Sequence, residues 1–163
     1  MLIHAKILKG LIMKTHTLHY SCLLNASQER VCQFHTDTHN LPLITPPWIN
    51  VTVVSMEDPM VEKSVVVLDI VRFGVSTRWE MQIQLQCPTM ITDSMVKGPF
   101  AFFRHQRHFV AKTPQTTLME ETITLTLPFG WLGSLAFGWV KKDMDAMFEY
   151  RHNATQAYFL RVH

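Results

Sequence analysis

Two periods divide this chain, and together they leave few folds open. From Asn50 to Leu127 apolar and polar residues recur with a repeat of two, and after Gly130 the repeat lengthens to threes and fours. A repeat of two sends successive side chains to opposite faces of a strand, whereas a repeat near 3.6 lines them along one stripe of a helix. Strands are read at Asn50–Glu57, Ser64–Phe73, Val75–Gln86, Met90–Val96, Ala101–Lys112 and Thr116–Leu127, punctuated by Gly74, Pro88, Gly98-Pro99 and Thr113-Pro114. The clearest is Val75–Gln86, with Val75, Thr77, Trp79, Met81, Ile83 and Leu85 on one face and polar residues on the other. Short connections make neighbouring strands antiparallel. The expected class is α+β, one sheet covered by a long terminal helix.

Earlier in the chain, Thr15–Leu24 alternates with Leu18, Tyr20, Cys22 and Leu24 on one face. Asn25 and Ser27 are candidate N-caps for a short helix through His35, with Val31 and Phe34 turned inward. A broken helical turn follows before Pro46-Pro47 ends it. The last helix carries Ala136, Val140, Met144, Met147, Phe148, Arg151, Thr155 and Tyr158 on its inner stripe. Gly133 and Gly138 weaken that helix by roughly 1 kcal/mol each relative to alanine, which suggests close approach to the sheet.

The segment Gly98–Phe109, GPFAFFRHQRHF, mixes large aromatics with ionisable groups on both faces. Burying a charge is costly unless it is paired, so a core that needed only filling has no use for such residues. A cavity that must orient something does. A three-residue hairpin loop that pairs Lys112 with Thr116 sets Arg107 across from Glu121, His105 across from Ile123 and Phe103 across from Leu125. Arg107 and Glu121 are expected to touch, and Asp93 to pair with His105. These four residues either pin the strand register or anchor a ligand's polar end.

Hydrophobic residues make up 47% of the 163 and charged residues 17%, a balance that suits cavity walls; no run approaches a membrane span. A net charge of +2 gives no electrostatic footprint for nucleic acid, and RHQRH matches no nucleic-acid signature. No cofactor motif is present. His35 and His39 have an i, i+4 spacing, but Asn40 and Pro42 break the helix there and no third ligand accompanies them, so no metal is expected. Cys22, Cys32 and Cys87 lack metal-like spacing; no cleavable leader is read in MLIHAKILKGLIMK. The expectation is reduced thiols in the cytoplasm. Residues 1–12 read as an N-terminal extension, and 13–163 as one domain. The strand around Val65, Val67, Val71 and Phe73 is apolar on both faces, so its outer side is expected to meet a second copy or to be covered by residues 1–12.

Several of these segments coincide with a known pattern. LPLITPP (Leu41–Pro47), Arg78-Trp79, Gly98–Phe109, Pro128–Gly133 and Phe148–Arg151 resemble the START/polyketide-cyclase superfamily (SRPBCC), most closely its small bacterial ligand-binding members. Phe103 stands where that pattern has Trp, and Arg107 where it has a second His. The similarity runs from near Met13 to near Phe159. It implies a helix-grip fold: a curved seven-stranded antiparallel sheet around the C-terminal helix, two short helices after the first strand, and a cavity between.

The expected function is to carry or sequester a hydrophobic small molecule of lipid, polyketide or isoprenoid character. Trp79, Met81, Phe103, Phe109, Leu125, Met144, Met147 and Phe148 are the expected apolar contacts, with Asp93, His105, Arg107 and Glu121 at the polar end. The alternative is a cyclase or hydratase using His105 as acid/base. A second alternative, a regulatory interaction module, rests on the resemblance alone.

Overall fold

A computed structural model describes residues 13–161; the extension expected over residues 1–12 lies outside the described residues. Strand β1 (Thr15–Leu24) buries Leu18, Cys22 and Leu24, as its alternation requires. The chain then turns into α1 (Gln28–Thr36), where the Ser27 side chain accepts a hydrogen bond from the Arg30 amide at 3.4 Å and Val31, Cys32 and Phe34 face inward. A short 3-10 turn over Thr38–Asn40 leads into α2 (Leu41–Ile44), which carries a proline in its first turn, where a missing N–H costs nothing.

Six strands follow: β2 (Asn50–Ser55), β3 (Val65–Arg72), β4 (Val75–Gln86), β5 (Met90–Lys97), β6 (Phe102–Thr113) and β7 (Thr116–Thr126). The sheet order is β1-β7-β6-β5-β4-β3-β2, with every neighbouring pair antiparallel. Helix α3 (Trp131–Arg161) closes the chain. Sheet, paired short helices and long terminal helix make the helix-grip arrangement. The closest backbone approaches of α3 are to β1 and α2. The helix therefore leans on one side of the sheet and leaves volume over the strands on the other.

The β6–β7 register sets Arg107 opposite Glu121, His105 opposite Ile123 and Phe103 opposite Leu125, as expected. The turn itself differs. Thr113 pairs with Thr116, and a shift between Ala111 and Thr113 absorbs the extra residue, so a tighter turn plus a bulge gives the same register as a three-residue loop. On α3, Ala136 is exposed rather than inward. Gly133 does sit where a Cβ would fall 2.2 Å from the Pro128 carbonyl oxygen, but a Cβ on Gly138 would meet nothing within 4 Å. Only the first glycine is there for close approach.

The cysteine expectation is corrected outright. Cys32 and Cys87 form a disulfide, with Cα atoms 6.0 Å apart, and Cys22 is the free, buried thiol. The helix α1 carries Cys32 to the β4–β5 turn, a juxtaposition that a sequence separation of 55 residues does not announce. On the outer face of the sheet Val65 and Val71 are exposed, whereas Phe73, expected beside them, lies in the β3–β4 turn, borders the cavity and packs on Trp139 with ring centroids 4.9 Å apart.

Candidate functional site

Between the sheet and α3 lies a cavity of about 430 Å³, within the range of small-molecule sites. Its two ends differ in chemistry. At one, Val66, Leu68 and Ile70 of β3 and Trp79, Met81 and Ile83 of β4 present their inner faces. Phe100, Phe103 and Trp79 form a mutual aromatic cluster with ring centroids 5.3–5.4 Å apart, and the Trp79 indole N–H donates to Thr77 Oγ1 at 3.0 Å. Met144, Met147 and Phe148 of α3 complete this lining.

The other end gathers ionisable side chains from five elements: His35 (α1), Asp93 (β5), His105 and Arg107 (β6), Glu121 (β7), and Arg151 and His152 (α3). The partners are not those expected from direct register. Arg107 Nη2 donates to Asp93 Oδ2, and Glu121 accepts from His105 Nε2 at 2.8 Å and from His152 Nε2 at 2.5 Å. Arg107 and Glu121 face each other across the ladder yet make no direct bond among the described residues. Both bonded pairs are diagonal, one step off register: Asp93 lies opposite His105, and Ile123 lies opposite His105 on the other side. Long side chains reach diagonal neighbours readily. The Asp93–His105 expectation survives as a 3.7 Å approach to Nδ1.

The electrostatics follow from burial and these bonds. Burial alone would raise the Glu121 carboxyl, but the hydrogen bonds from His105 and His152 outweigh it and hold the group well below the usual carboxylate range. An ionised carboxylate only accepts, so both histidines carry their proton on Nε2. His105 is lowered from the ordinary histidine value, chiefly by burial, and stays neutral with Nδ1 bare. Burial and the charge of Arg107 push His35 still lower. Cys22, behind this end, is pushed up to about 12 by burial and the nearby Glu121.

Of the expected site residues, Trp79, Met81, Asp93, Phe103, His105, Arg107, Met144, Met147 and Phe148 line the cavity. Phe109, Glu121 and Leu125 are buried but do not line it. Phe109 stacks behind His35, with centroids 5.7 Å apart, and Glu121 stands behind His105. His35, considered above for a metal, faces the cavity, whereas His39 is exposed and bonded to Asp37 at 2.9 Å. Arg151 lies on the expected helical stripe and His152 closes the FEYRH run, Phe148–His152, both without an assigned role; the signal for both is that run on a helix facing Glu121. A second ion pair, Arg72 with Asp143, borders the cavity near the exposed Phe73 and Trp139.

Residues 24–149 match the protein family described as polyketide cyclase / dehydrase and lipid transport. The chain belongs to that family. No curated protein sequence matches it. Among solved structures it resembles a START superfamily protein from Mycobacterium smegmatis, with 18% identity, a TM-score of 0.69, and coverage of 91% of this chain and 99% of that one. It also resembles the ZhuI aromatase/cyclase from Streptomyces sp. R1128, with 15% identity, a TM-score of 0.73 and coverage of 91% and 95%. A third is norcoclaurine synthase from Thalictrum flavum in complex with dopamine and hydroxybenzaldehyde, with 11% identity, a TM-score of 0.66 and coverage of 93% and 90%. At these identities the likeness is one of fold. No helix among the described residues is long and apolar enough to cross a membrane.

Proposed function

We propose that this SRPBCC protein binds a largely apolar small molecule in the cavity between sheet and α3, as a carrier or sequestering protein. The observation that carries the reading is the unequal lining of that cavity, an aromatic and aliphatic end joined to one compact polar end. Apolar walls supply affinity through area removed from water, and a few convergent polar groups set orientation. In this reading Trp79, Met81, Phe103, Met144, Met147 and Phe148 contact the ligand's body. Asp93, His105 and Arg107 face its polar end, while Phe109, Glu121 and Leu125 hold those groups in place. Native mass spectrometry of the purified protein tests it. A co-purifying lipid-like mass, lost on denaturation, is expected; its absence together with failure to bind any neutral apolar fluorophore overturns the reading.

A cyclase or hydratase reaction is the second reading, favoured by one observation: Glu121 fixes His105 as a neutral ring whose Nδ1 lone pair is bare, the state a general base requires. A His105→Gln variant that binds the co-purified molecule unchanged but no longer converts it supports this reading; conversion at the parent rate removes it. Cytoplasmic residence belongs to the proposal as well, and the Cys32–Cys87 bond weighs against it, since such bonds persist in oxidising compartments. Self-association through the outer valines of β3 is a separate proposal, read from concentration-dependent mass in light scattering.

A further inference from the structure

At the polar end of the cavity one cation is left without a bonded acceptor. Asp93 Oδ2 is taken by Arg107, and each oxygen of Glu121 is taken by a histidine. Near the mouth, Arg72 Nη2 donates to Asp143 Oδ1, so that cation is already paired, although its Nε is buried without a bond. The side chain of Arg151, which lines the cavity, makes no hydrogen bond or ion pair among the described residues. Its guanidinium lies over the Phe148 ring, 5.7 Å from the centroid, a contact that orients the group without supplying an acceptor. A guanidinium has five N–H donors and is not relieved by losing its proton, so a site that shields it leaves those donors to be met by water or ligand. Burial lowers Arg151 from the ordinary arginine value and the charge of Glu121 opposes this through space, but both of the Glu121 oxygens are occupied. The neighbourhood is short of partners in other places too: both ring nitrogens of His35, Arg107 Nε and Asp93 Oδ1 are buried without hydrogen bonds.

Resting on the binding reading above, we propose that the ligand carries a single carboxylate and that Arg151 receives it. A planar carboxylate matches the guanidinium fork with two parallel hydrogen bonds. A phosphate dianion calls for a second free cation, and Arg107 is already committed to Asp93. A neutral hydroxyl or ester leaves most of the Arg151 donors unmet and forgoes the charge-assisted bond. The wall beyond Arg151 turns apolar at once, through Phe148, Met147 and Met144 on the preceding turns of α3, so the carboxylate is terminal and its tail runs toward Trp79.

Displacement of the neutral fluorophore N-phenyl-1-naphthylamine tests this, with dodecanoic acid and dodecan-1-ol as competitors at neutral pH. The parent protein is expected to bind the acid about ten- to a hundredfold more tightly than the alcohol. Arg151→Met is expected to erase that preference while leaving the affinity for the alcohol within a few fold, and Arg151→Lys to keep part of it. Equal affinity for acid and alcohol in the parent, or a preference that survives in Arg151→Met, overturns the carboxylate assignment while leaving the apolar binding intact. Failure of the fluorophore to bind the parent overturns the underlying reading as well, so the two failures are told apart. Should Arg151→Met not fold, the ratio in the parent and its change in Arg151→Lys decide.

Discussion

The two ends of the cavity are held by different kinds of force, and the contrast explains how each responds to change. At the Trp79–Phe100–Phe103 end the side chains are interchangeable in kind: each contributes area, contacts are non-directional, and shape matters more than identity. At the Asp93–His105–Arg107–Glu121 end each group depends on one named partner, and low local polarity makes a missing partner expensive. The first end tolerates substitution and sets capacity. The second tolerates little and sets selectivity.

The sharpest way to break this contrast is to remove one partner of the polar end. Arg107→Met or Asp93→Leu alone leaves an uncompensated charge and is expected to cost about 3–5 kcal/mol in chemical denaturation, with the double variant costing less than either single change. Small, additive effects would show that end to be wet and loosely held. The apolar end is expected to be milder at equal size. Phe103 lines the cavity and is packed on fewer sides than a core residue, so Phe103→Ala is expected to lose about 2 kcal/mol, against about 3–5 kcal/mol for Phe159→Ala in the closed core. Equal losses at the two positions would mean that the wall is packed as tightly as the core.

The smallest expected effect separates the ends by pH. His35 and His105 both hold folded-state values below the ordinary 6.5, so the unfolded chain takes up protons that the folded chain refuses. Stability from this source is complete above about 6.5 and is lost as pH falls. Between pH 7 and pH 5 a loss of about 1–2 kcal/mol is expected, and His35→Phe is expected to reduce it. An unchanged slope in that variant would assign the loss to other groups.

What could be read from the residues follows the same division. Strand faces and the β6–β7 register were legible because a repeat of two and the parity of hairpin pairing fix them before any contact is known. The inward set around Trp79, Phe103 and Met144 came with them. Partner choice was not legible: Arg107 and Glu121 sit opposite each other as expected, yet diagonal reach gives Arg107 to Asp93 and Glu121 to two histidines. His152 enters only because α3 leans over β7's inner face, a tertiary fact that no local pattern contains. His35 was weighed only as half of a metal pair with His39 and set aside because the helix was expected to break; the helix ends at Thr36, and the place of His35 on the cavity wall is a tertiary fact that the spacing does not contain.

The Cys32–Cys87 bond has a topological consequence. It closes residues 32–87 into a covalent ring that contains β2, β3 and β4, and with them Trp79, whereas Phe103 on β6, together with β5, β7 and α3, lies outside it. Of the polar groups at the opposite end, only His35 belongs to the ring. A protease cut in the connection between β2 and β3 therefore leaves one molecule of undiminished mass, and the halves part only when a reductant opens the ring.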